Sequence, residues 1–323
     1  MDKNILVVDF GFSFIKVYYR GKLIKEPSIF SIDFNNNKDN LVSTNNSNIY
    51  TYEGKPMVVG TDAEKKKMKI ISRDVSFIFR FYPLAIYHIL KKLNIKTEKL
   101  DAIAIGLPPE NLTKENAEEL KKRIISTQIN DEKIKIPKSK IFVLGQGQGA
   151  FIDIKSSYKN IGQSSGFLLD IGFNTLIAVP FKEGKILPSF KQYERFGISG
   201  LLEEFLSPIL KSSKNLNIKD INKLNEAYMK GFIKIGFGEK INIESEIKTA
   251  VENYMEIILQ KIKEDFIEEL ADMETLILTG GGSYRLKDFL PDNIKKITII
   301  PELPEFSNTR GYFKIVQNLL SSN

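Results

Sequence analysis

Two short stretches place an aspartate and a glycine directly after an apolar run. Residues 9–13 read DFGFS, and residues 170–175 read DIGFNT. An aspartate at a strand end can hold hydrated Mg²⁺, and the glycine lets backbone N–H groups surround a phosphate. One such turn is also typical of an ordinary hairpin, but two turns, each opening one half of the chain, indicate a phosphate site. We therefore expect Asp9 and Asp170 to hold Mg²⁺ through water. The alternative is that both aspartates only satisfy local N–H groups of their turns.

Glycine-bearing turns follow four predicted strands, at positions 11, 145–149, 172 and 280–282. Nucleotide sites of α/β proteins collect at such strand ends, where backbone amides are available to anions. The chain has no GxxxxGK[ST] motif and no GxGxxG opening a helix after its first strand, so Walker-type and dinucleotide sites are disfavoured. Lys16 alternates with apolar neighbours in the strand after the first turn. It either reaches a phosphate or is a solvated strand lysine.

Composition excludes several classes of protein. With 323 residues, 42% of them hydrophobic, the chain can bury a sizeable core and form two domains. It has no cysteine and a single histidine, which excludes disulfides, multi-histidine zinc sites and a Ser-His-Asp triad. That histidine, His88, is expected to be a packed or surface residue. We expect a cytoplasmic protein, because no apolar run has membrane-spanning length and no signal peptide is evident.

The charge pattern bears on possible partners. The net charge of +7 could mark an acidic partner such as nucleic acid. The lysines are scattered, however, which favours compositional bias, so no direct sequence-specific DNA contact is expected. The basic segment Lys65 to Lys69 is interpreted as solvent-facing.

Both halves show one order of elements: a strand, an Asp-Gly turn, further strands, then a helix and a strand. Sequence identity between the halves is confined to the turn, so the pattern predicts a structural repeat. The predicted strands include residues 4–9, 100–106, 140–144, 167–170, 275–279 and 297–300. The predicted helices include residues 61–69, 77–93, 111–126 and 243–270, and residues 35–48 are predicted to form a loop.

In this order the motifs resemble the actin-type ATPase superfamily, which includes actins, heat-shock chaperones and sugar kinases. The resemblance implies an α/β fold of the actin-like, ribonuclease H-like duplicated type. Two domains would flank a nucleotide cleft, each with a smaller inserted subdomain. Domain I would cover residues 1–150, with the C-terminal helix 304–323 packing back on it. Domain II would cover residues 151–303, with an inserted subdomain at about 200–270.

The resemblance also implies a binding site for ATP, or for GTP, with Mg²⁺. Gln146 would orient the attacking water, with Gln148 as the competing candidate, while Asp9 and Asp170 would hold the metal. The residues matched to the two phosphate turns and the adenosine turn are Gly11, Phe12, Ser13, Lys16, Gly172, Phe173, Asn174, Thr175, Gly280, Gly281, Gly282 and Ser283. The first turn departs from the family because Phe10, Phe12 and Phe14 stand where many relatives have small polar residues. This predicts an altered grip on the phosphates.

The C-terminal stretch 304–313, PEFSNTRGYF, is similar to the (F/Y)-A-N-x-x-G-(F/Y) tail of plasmid-segregating actin-like proteins of the ParM and Alp type. The QGQGA at 146–150 is similar to the same branch. This resemblance implies a filament of identical chains that hydrolyses ATP and pushes plasmid DNA apart through a ParR-like, DNA-bound adaptor. The alternatives are a sugar-type small-molecule kinase and a non-filamentous scaffold or regulator. A glutamine where a kinase needs a carboxylate base argues against the kinase.

Overall fold

A computed structural model describes residues 3–33, 48–72, 74–236 and 238–322 of the chain. The chain divides into two compact units. Unit 1 takes residues 1–149 and 308–323, and unit 2 takes residues 150–307. The loop predicted over 35–48 lies, except for its last residue, outside the described residues.

Unit 1 is built on a strand that is buried along its whole length, as the apolar run from residue 5 predicts. The described strands of unit 1 are β1 (Ile5–Phe10), β2 (Phe14–Tyr19), β3 (Lys22–Pro27), β4 (Phe30–Ile32), β5 (Tyr50–Tyr52), β6 (Lys55–Val59), β7 (Lys69–Ile70), β8 (Ala102–Leu107), β9 (Gln128–Ile129), β10 (Glu132–Lys133) and β11 (Ile141–Gly145). They form one sheet of order β11-β8-β1-β2-β3 and a second of order β10-β9-β5-β6-β4-β7. β1 pairs antiparallel with β2 and parallel with β8, and β8 pairs parallel with β11.

Unit 2 repeats the plan of the first sheet. Its described strands are β12 (Gly166–Ile171), β13 (Thr175–Lys182), β14 (Lys185–Ile186), β15 (Lys191–Glu194), β16 (Phe232–Ile235), β17 (Glu239–Asn242), β18 (Thr275–Thr279) and β19 (Thr298–Ile299). The main sheet has the order β14-β13-β12-β18-β19, with β15 also paired to β13, while β16 and β17 form a separate hairpin. β12 pairs antiparallel with β13 and parallel with β18, and β18 pairs parallel with β19. An antiparallel hairpin continued by parallel strands therefore occurs once in each unit, which is the duplication expected from the sequence.

The helices cover the sheets and close the cores. They are α1 (Thr61–Glu64), α2 (Val75–Lys92), α3 (Lys114–Ser126), α4 (Gln148–Ser157), α5 (Ile198–Gly200), α6 (Ser207–Lys214), α7 (Ile221–Lys230), α8 (Glu244–Asp265), α9 (Ser283–Leu286), α10 (Asp292–Lys295) and α11 (Ser307–Ser321). A π-helical stretch over Leu201–Leu206 joins α5 to α6. Short 3-10 turns lie at Thr97–Lys99, Pro109–Asn111, Lys138–Lys140, Lys159–Gly162, Glu269–Asp272 and Pro304–Phe306.

His88 lies on the buried side of α2. Its Nδ1 is 3.0 Å from the Tyr50 hydroxyl, and the ring is packed rather than exposed to solvent. Burial lowers the pKa of His88 to about 4.

Two predicted helices are shorter in the structure. The helix expected over 61–69 ends at Glu64, since the next residues carry adjacent lysines and Lys69–Ile70 pairs with β4 instead. The helix expected over 243–270 ends at Asp265. The next residue, Phe266, buries its ring 5.3 Å from that of Phe167, which turns the chain out of the helical path.

Candidate functional site

The first Asp-Gly turn is held rigidly between β1 and β2. The Gly11 N–H donates to the Phe14 carbonyl at 3.1 Å, which closes the turn. The Gly11 carbonyl accepts from the Ser28 hydroxyl at 2.6 Å, and the Ser28 N–H donates to the Ser13 carbonyl at 2.9 Å. The turn keeps a fixed shape because both of its flanks are hydrogen-bonded.

The phenylalanines of this turn point in different directions. Phe10 is fully buried, with its ring 5.3 Å from that of Tyr82 in the core of unit 1. Phe12 packs partly against the same core, whereas Phe14 is exposed beneath the Lys25 ammonium. Phe10 therefore does not crowd the turn, although the sequence placed it among the residues that would alter the phosphate grip.

Asp9 is the centre of a buried polar network in unit 1. Its carboxylate is fully buried and accepts from the Lys16 ammonium at 3.1 Å and from the Gln146 amide at 3.0 Å. Lys16 lies directly opposite Asp9 in the β1–β2 register. A buried carboxylate is tolerated because a cation and a second donor compensate it. The structure thus brings together three of the residues predicted for the site.

Tyr82 and Gly106 lie directly beside this network. The Tyr82 hydroxyl donates to the Val8 carbonyl at 2.7 Å and accepts from the Gly106 N–H at 3.0 Å. Burial, together with the charge of nearby Asp9, raises the pKa of Tyr82 well above its usual range. A Cβ at Gly106 would lie 2.6 Å from the hydroxyl of the fully buried Tyr312 and 3.0 Å from the Asp9 carboxylate, so a larger residue would have to displace one of them.

The segment at 145–149 places its two glutamines differently. The Gln146 N–H donates to the Leu107 carbonyl at 2.9 Å, which keeps this residue beside the end of β8. Gln148 begins α4 and is exposed. Gln146, and not Gln148, is therefore the glutamine whose side chain donates a hydrogen bond to Asp9.

Helix α11 explains the C-terminal motif that carries part of the resemblance. The Asn308 side chain accepts from the Gly147 N–H at 3.0 Å. A Cβ at Gly311 would lie within 2.9 Å of the Gly149 Cα, and closer still to its carbonyl, so the two backbones touch. The ring of Tyr312 is fully buried against Gly149. The motif fixes the glycine segment that carries Gln146.

The second Asp-Gly turn, in unit 2, has the same closing bond as the first. The Gly172 N–H donates to the Thr175 carbonyl at 2.9 Å. The Gly172 carbonyl accepts from the Ile198 N–H at 3.1 Å, and the Phe173 carbonyl accepts from the Ser199 N–H at 2.7 Å. Each unit therefore holds one turn with an N–H to carbonyl bond across three residues, fixed in place by a neighbouring element.

The side chain of Asn174 is bonded inside unit 2. Its side chain is buried and donates to the Glu194 carboxylate at 2.9 Å. The Gln192 amide donates to the other Glu194 oxygen at 2.7 Å. This geometry makes Asn174 a residue that shapes the turn, while Thr175 begins β13 in a half-buried position.

The glycine turn after β18 lies against Asp170. Gly280 has a φ of +81°, and a Cβ there would lie 2.5 Å from the Asp170 carboxylate. The Gly282 N–H donates to the Ile171 carbonyl at 2.9 Å. The Ser283 hydroxyl is buried and donates to the Gly280 carbonyl at 2.8 Å, while Gly281 is exposed. Of the four residues of this turn, Gly281 alone is exposed, and it has no side chain.

Each unit thus offers one carboxylate beside one glycine turn. Among the described residues there is no group of three or more histidine or acidic side chains that could enclose a metal. Single carboxylates suit Mg²⁺, which retains several waters and is often bound through only one or two carboxylates. The oxygens of Asp9 already accept from Lys16 and Gln146, which favours contact through water over direct ligation.

Comparison with known protein families decides the classification. Residues 8–149 match the family model of the N-terminal domain of actin-like proteins, and residues 168–292 match the C-terminal model of the archaeal MreB-like actin homologue. Together the two matches take in well over half of the chain. The chain belongs to the actin-like proteins.

Solved structures confirm the actin-like fold. A non-polymerisable quadruple mutant of pCBH ParM is similar at 19% identity, with a TM-score of 0.74 over 98% of this chain and 99% of that one. A 15-stranded ParM filament from Clostridium botulinum is similar at 19% identity, with a TM-score of 0.73 over 98% and 100%. An archaeal actin homologue in complex with ADP is similar at 15% identity, with a TM-score of 0.69 over 97% and 99%. No curated protein matches the chain of this actin-like protein. Within its described ranges, no helix is both long and apolar enough to cross a bilayer.

Proposed function

We propose that this actin-like protein binds ATP with Mg²⁺, hydrolyses it, and assembles into filaments of identical chains. The observation that carries the proposal is the pair of matched turns at the ends of β1 and β12, each with a buried aspartate before its glycine. The solved ADP complex of an archaeal actin homologue with the same fold supports nucleotide binding. GTP is the alternative nucleotide, since no described contact selects a base.

The phosphates would be bound by backbone groups of the two turns. In the first turn Ser13 and Lys16 add polar groups, and in the second Thr175 does. Lys16 has its ammonium on Asp9, so it is positioned to neutralise a phosphate that approaches the same turn. Asp9 and Asp170 would hold Mg²⁺ through water, and the bound ion would neutralise the charge that develops on the transferred phosphoryl group.

Gln146 would orient the attacking water. Its amide nitrogen is occupied by Asp9, which leaves its carbonyl oxygen as the acceptor for a water proton. Phosphoryl transfer to water depends on positioning more than on covalent chemistry. A neutral amide is a weak base, so we expect slow hydrolysis that filament assembly accelerates by adjusting the position of Gln146.

The Gly280 to Ser283 turn would bind the adenosine. Its only side-chain hydroxyl, that of Ser283, is already used within the turn. Recognition would therefore rest on backbone groups and on the exposed, side-chain-free position at Gly281.

The filament is proposed as a plasmid-segregating device. The similar C. botulinum structure is a ParM filament, and another similar structure is an Alp12 filament. The motif at 304–313 is similar to the tail of proteins of the same branch. A ParR-like adaptor would link the filament to DNA in the cytoplasm, without direct sequence-specific DNA contact by this chain.

The function is tested by right-angle light scattering, negative-stain electron microscopy and phosphate release with Mg-ATP. We expect filaments with the wild type and phosphate release that rises with assembly. Gln146→Ala should bind ATP yet release phosphate at least about tenfold more slowly, because an orienting group is lost. Gln148→Ala is the matched control and should hydrolyse at the wild-type rate.

Two results would contradict the proposal. Filaments that are absent at every protein concentration would favour the non-filamentous scaffold, and phosphate transfer to a sugar would favour the kinase. Wild-type hydrolysis by Gln146→Ala would remove the role assigned to this glutamine, and loss of activity in Gln148→Ala would transfer that role.

A further inference from the structure

Three large apolar side chains of the described ranges are more than half exposed. They are Ile267 at 69%, Met68 at 59% and Ile71 at 54%. Exposed apolar surface costs free energy unless a partner covers it. These three residues lie in two segments of opposite charge.

The basic segment, residues 65–71, reads KKKMKII and contains four lysines with no acidic residue. Lys66 is bound to Asp33 at 2.8 Å. Lys65, Lys67 and Lys69 are exposed and make no ion pair within the part of the chain that the structure describes. Met68 and Ile71 therefore stand among uncompensated positive charges.

The acidic segment, residues 264–274, reads EDFIEELADME and contains six acidic residues with no basic one. Asp265 is held by the Lys191 ammonium at 2.6 Å and by the Tyr193 hydroxyl at 2.7 Å. Glu268 and Glu274 are exposed and form no ion pair with any described residue. Glu264 pairs with the Lys261 ammonium at 3.5 Å, and Glu269 accepts from the Ser189 hydroxyl at 2.7 Å. The segment around Ile267 therefore retains two exposed carboxylates, those of Glu268 and Glu274, that no described cation neutralises.

We propose that the basic segment of one chain docks on the acidic segment of a second copy of this chain, which deepens the proposed function and rests on it. The apolar side chains of the two segments cover one another, and the charges around them pair across the contact. Like segments repel, so a symmetric dimer through either segment alone is disfavoured. A head-to-tail contact pairs the basic segment of each chain with the acidic segment of the next one, and such a contact generates an open filament when it does not close into a ring.

The test uses two variants that each reverse the charge of one segment. The basic-reversed variant carries Lys65→Glu, Lys67→Glu and Lys69→Glu, and the acid-reversed variant carries Glu268→Lys and Glu274→Lys. Since all of these side chains are exposed, both proteins should fold and bind a fluorescent ATP analogue like the wild type. Each should raise the critical concentration for assembly at least about tenfold, because like charges then face each other across the contact.

Mixing the two variants gives the decisive readout. In an equimolar mixture every contact between the two variants again joins opposite charges, because the intact segments match each other and so do the two reversed ones. With Mg-ATP the mixture should therefore co-assemble into filaments, at a critical concentration below that of either variant alone. Matched controls reverse the same number of exposed charges elsewhere: Lys96→Glu with Lys99→Glu and Lys122→Glu, and Glu98→Lys with Glu119→Lys. Both controls should assemble at the wild-type critical concentration.

The outcomes separate this contact from the proposed function. Wild-type filaments with unchanged critical concentrations in both reversed variants, or a mixture that assembles no better than either variant alone, would overturn the contact and leave the proposed function standing. Head-to-tail association that occurs without nucleotide-dependent filaments would support the contact and contradict the proposed function. A wild-type chain that stays monomeric at every concentration would overturn both.

Discussion

Replacing Gly311 by alanine tests whether the close packing of α11 positions the glycine segment that carries Gln146. Two physical effects of this change have opposite signs. Alanine favours a helix over glycine by about 1 kcal/mol, so helix propensity alone predicts a more stable protein. The added Cβ, however, would overlap the backbone of Gly149, a fixed group that cannot rotate away.

The size of the effect follows from that overlap. Carbon atoms in contact need about 3.5 Å, so α11 must retreat by roughly 1 Å or more. Such a shift lengthens the bond between the Asn308 side chain and the Gly147 N–H from 3.0 Å to about 4 Å, beyond hydrogen-bonding distance. Overpacking costs about 1–3 kcal/mol and the lost bond about 1 kcal/mol, against the gain of about 1 kcal/mol in propensity. We expect a net loss of about 1–3 kcal/mol in the free energy of unfolding.

Urea unfolding followed by circular dichroism measures this loss. Gly162→Ala is the matched control, because a Cβ there meets no atom within 4 Å and its backbone angle is not restricted to glycine. The control should lie within about 0.5 kcal/mol of the wild type. A Gly311→Ala protein as stable as the wild type, or more stable, would refute the reasoning, because propensity would then outweigh the contact.

Three further predictions concern the second glycine turn, the tyrosine that supports Asp9, and the buried histidine. Gly280→Ala forces a Cβ onto the Asp170 carboxylate at a φ of +81°, so it should lower stability by about 1–3 kcal/mol and weaken ATP binding, as measured by urea unfolding and a fluorescent nucleotide titration. Tyr82→Phe leaves the buried Gly106 N–H without its hydroxyl partner and should cost about 1–3 kcal/mol in the same unfolding measurement. The His88 pKa is about 4 in the folded protein and about 6.5 when unfolded, so the unfolded state binds more protons between these values. The contribution of His88 is therefore present above pH 6.5 and is lost as the pH falls towards 4, on the order of 3 kcal/mol.

Each of these predictions has a control that the same mechanism leaves unchanged. Gly162→Ala serves for Gly280→Ala. Tyr19→Phe serves for Tyr82→Phe, since no described group bonds to the Tyr19 hydroxyl, and it should change stability by less than about 0.5 kcal/mol. His88→Asn should remove the part of the pH dependence assigned to the histidine. An unchanged slope in that variant would assign the dependence to other groups.

The sequence predicted the two Asp-Gly turns because their signal is local. An apolar run followed by Asp-X-Gly carries its own geometry, and both turns close with the same backbone bond. The fully buried β1 and β12 were equally readable, since strands covered on both faces appear as continuous apolar runs.

The residues that hold the site in place could not be predicted from the sequence, because each of them contacts a residue that is distant in the chain. Tyr82 contacts the end of β1 across 74 residues, and Asn308 reaches Gly147 across 161. Neither residue carries a local signal, apart from the place of Asn308 in the tail motif. The β9–β10 hairpin was also missed, although Asn130 and Asp131 at its turn both have positive φ. Its strands have two residues each, too few for alternation to show.

The predicted effect of the three phenylalanines on phosphate binding rested on their residue type alone. Sequence cannot tell which of Phe10, Phe12 and Phe14 points inward, because their direction depends on the pleat of β1 and on the turn between the strands. The structure buries Phe10 and exposes Phe14. Likewise, the sequence predicts that Asn174 binds the nucleotide. It gives no sign that the Asn174 side chain donates a hydrogen bond to Glu194, as it does in the structure.

The central claim is that Asp170 and its turn bind the phosphates of ATP through Mg²⁺. The most direct measurement is the affinity for a fluorescent ATP analogue, titrated with Mg²⁺ and with chelator, for the wild type, Asp170→Asn and Asp131→Asn. Asp131 is exposed with a φ of 60°, which asparagine also adopts, so its variant is a matched control. We predict Mg²⁺-dependent binding by the wild type and Asp131→Asn, and an affinity at least about tenfold weaker for Asp170→Asn, since a charged ligand to the hydrated ion is lost. Saturable binding by Asp170→Asn equal to that of the wild type, or no binding by the wild type, would contradict the claim.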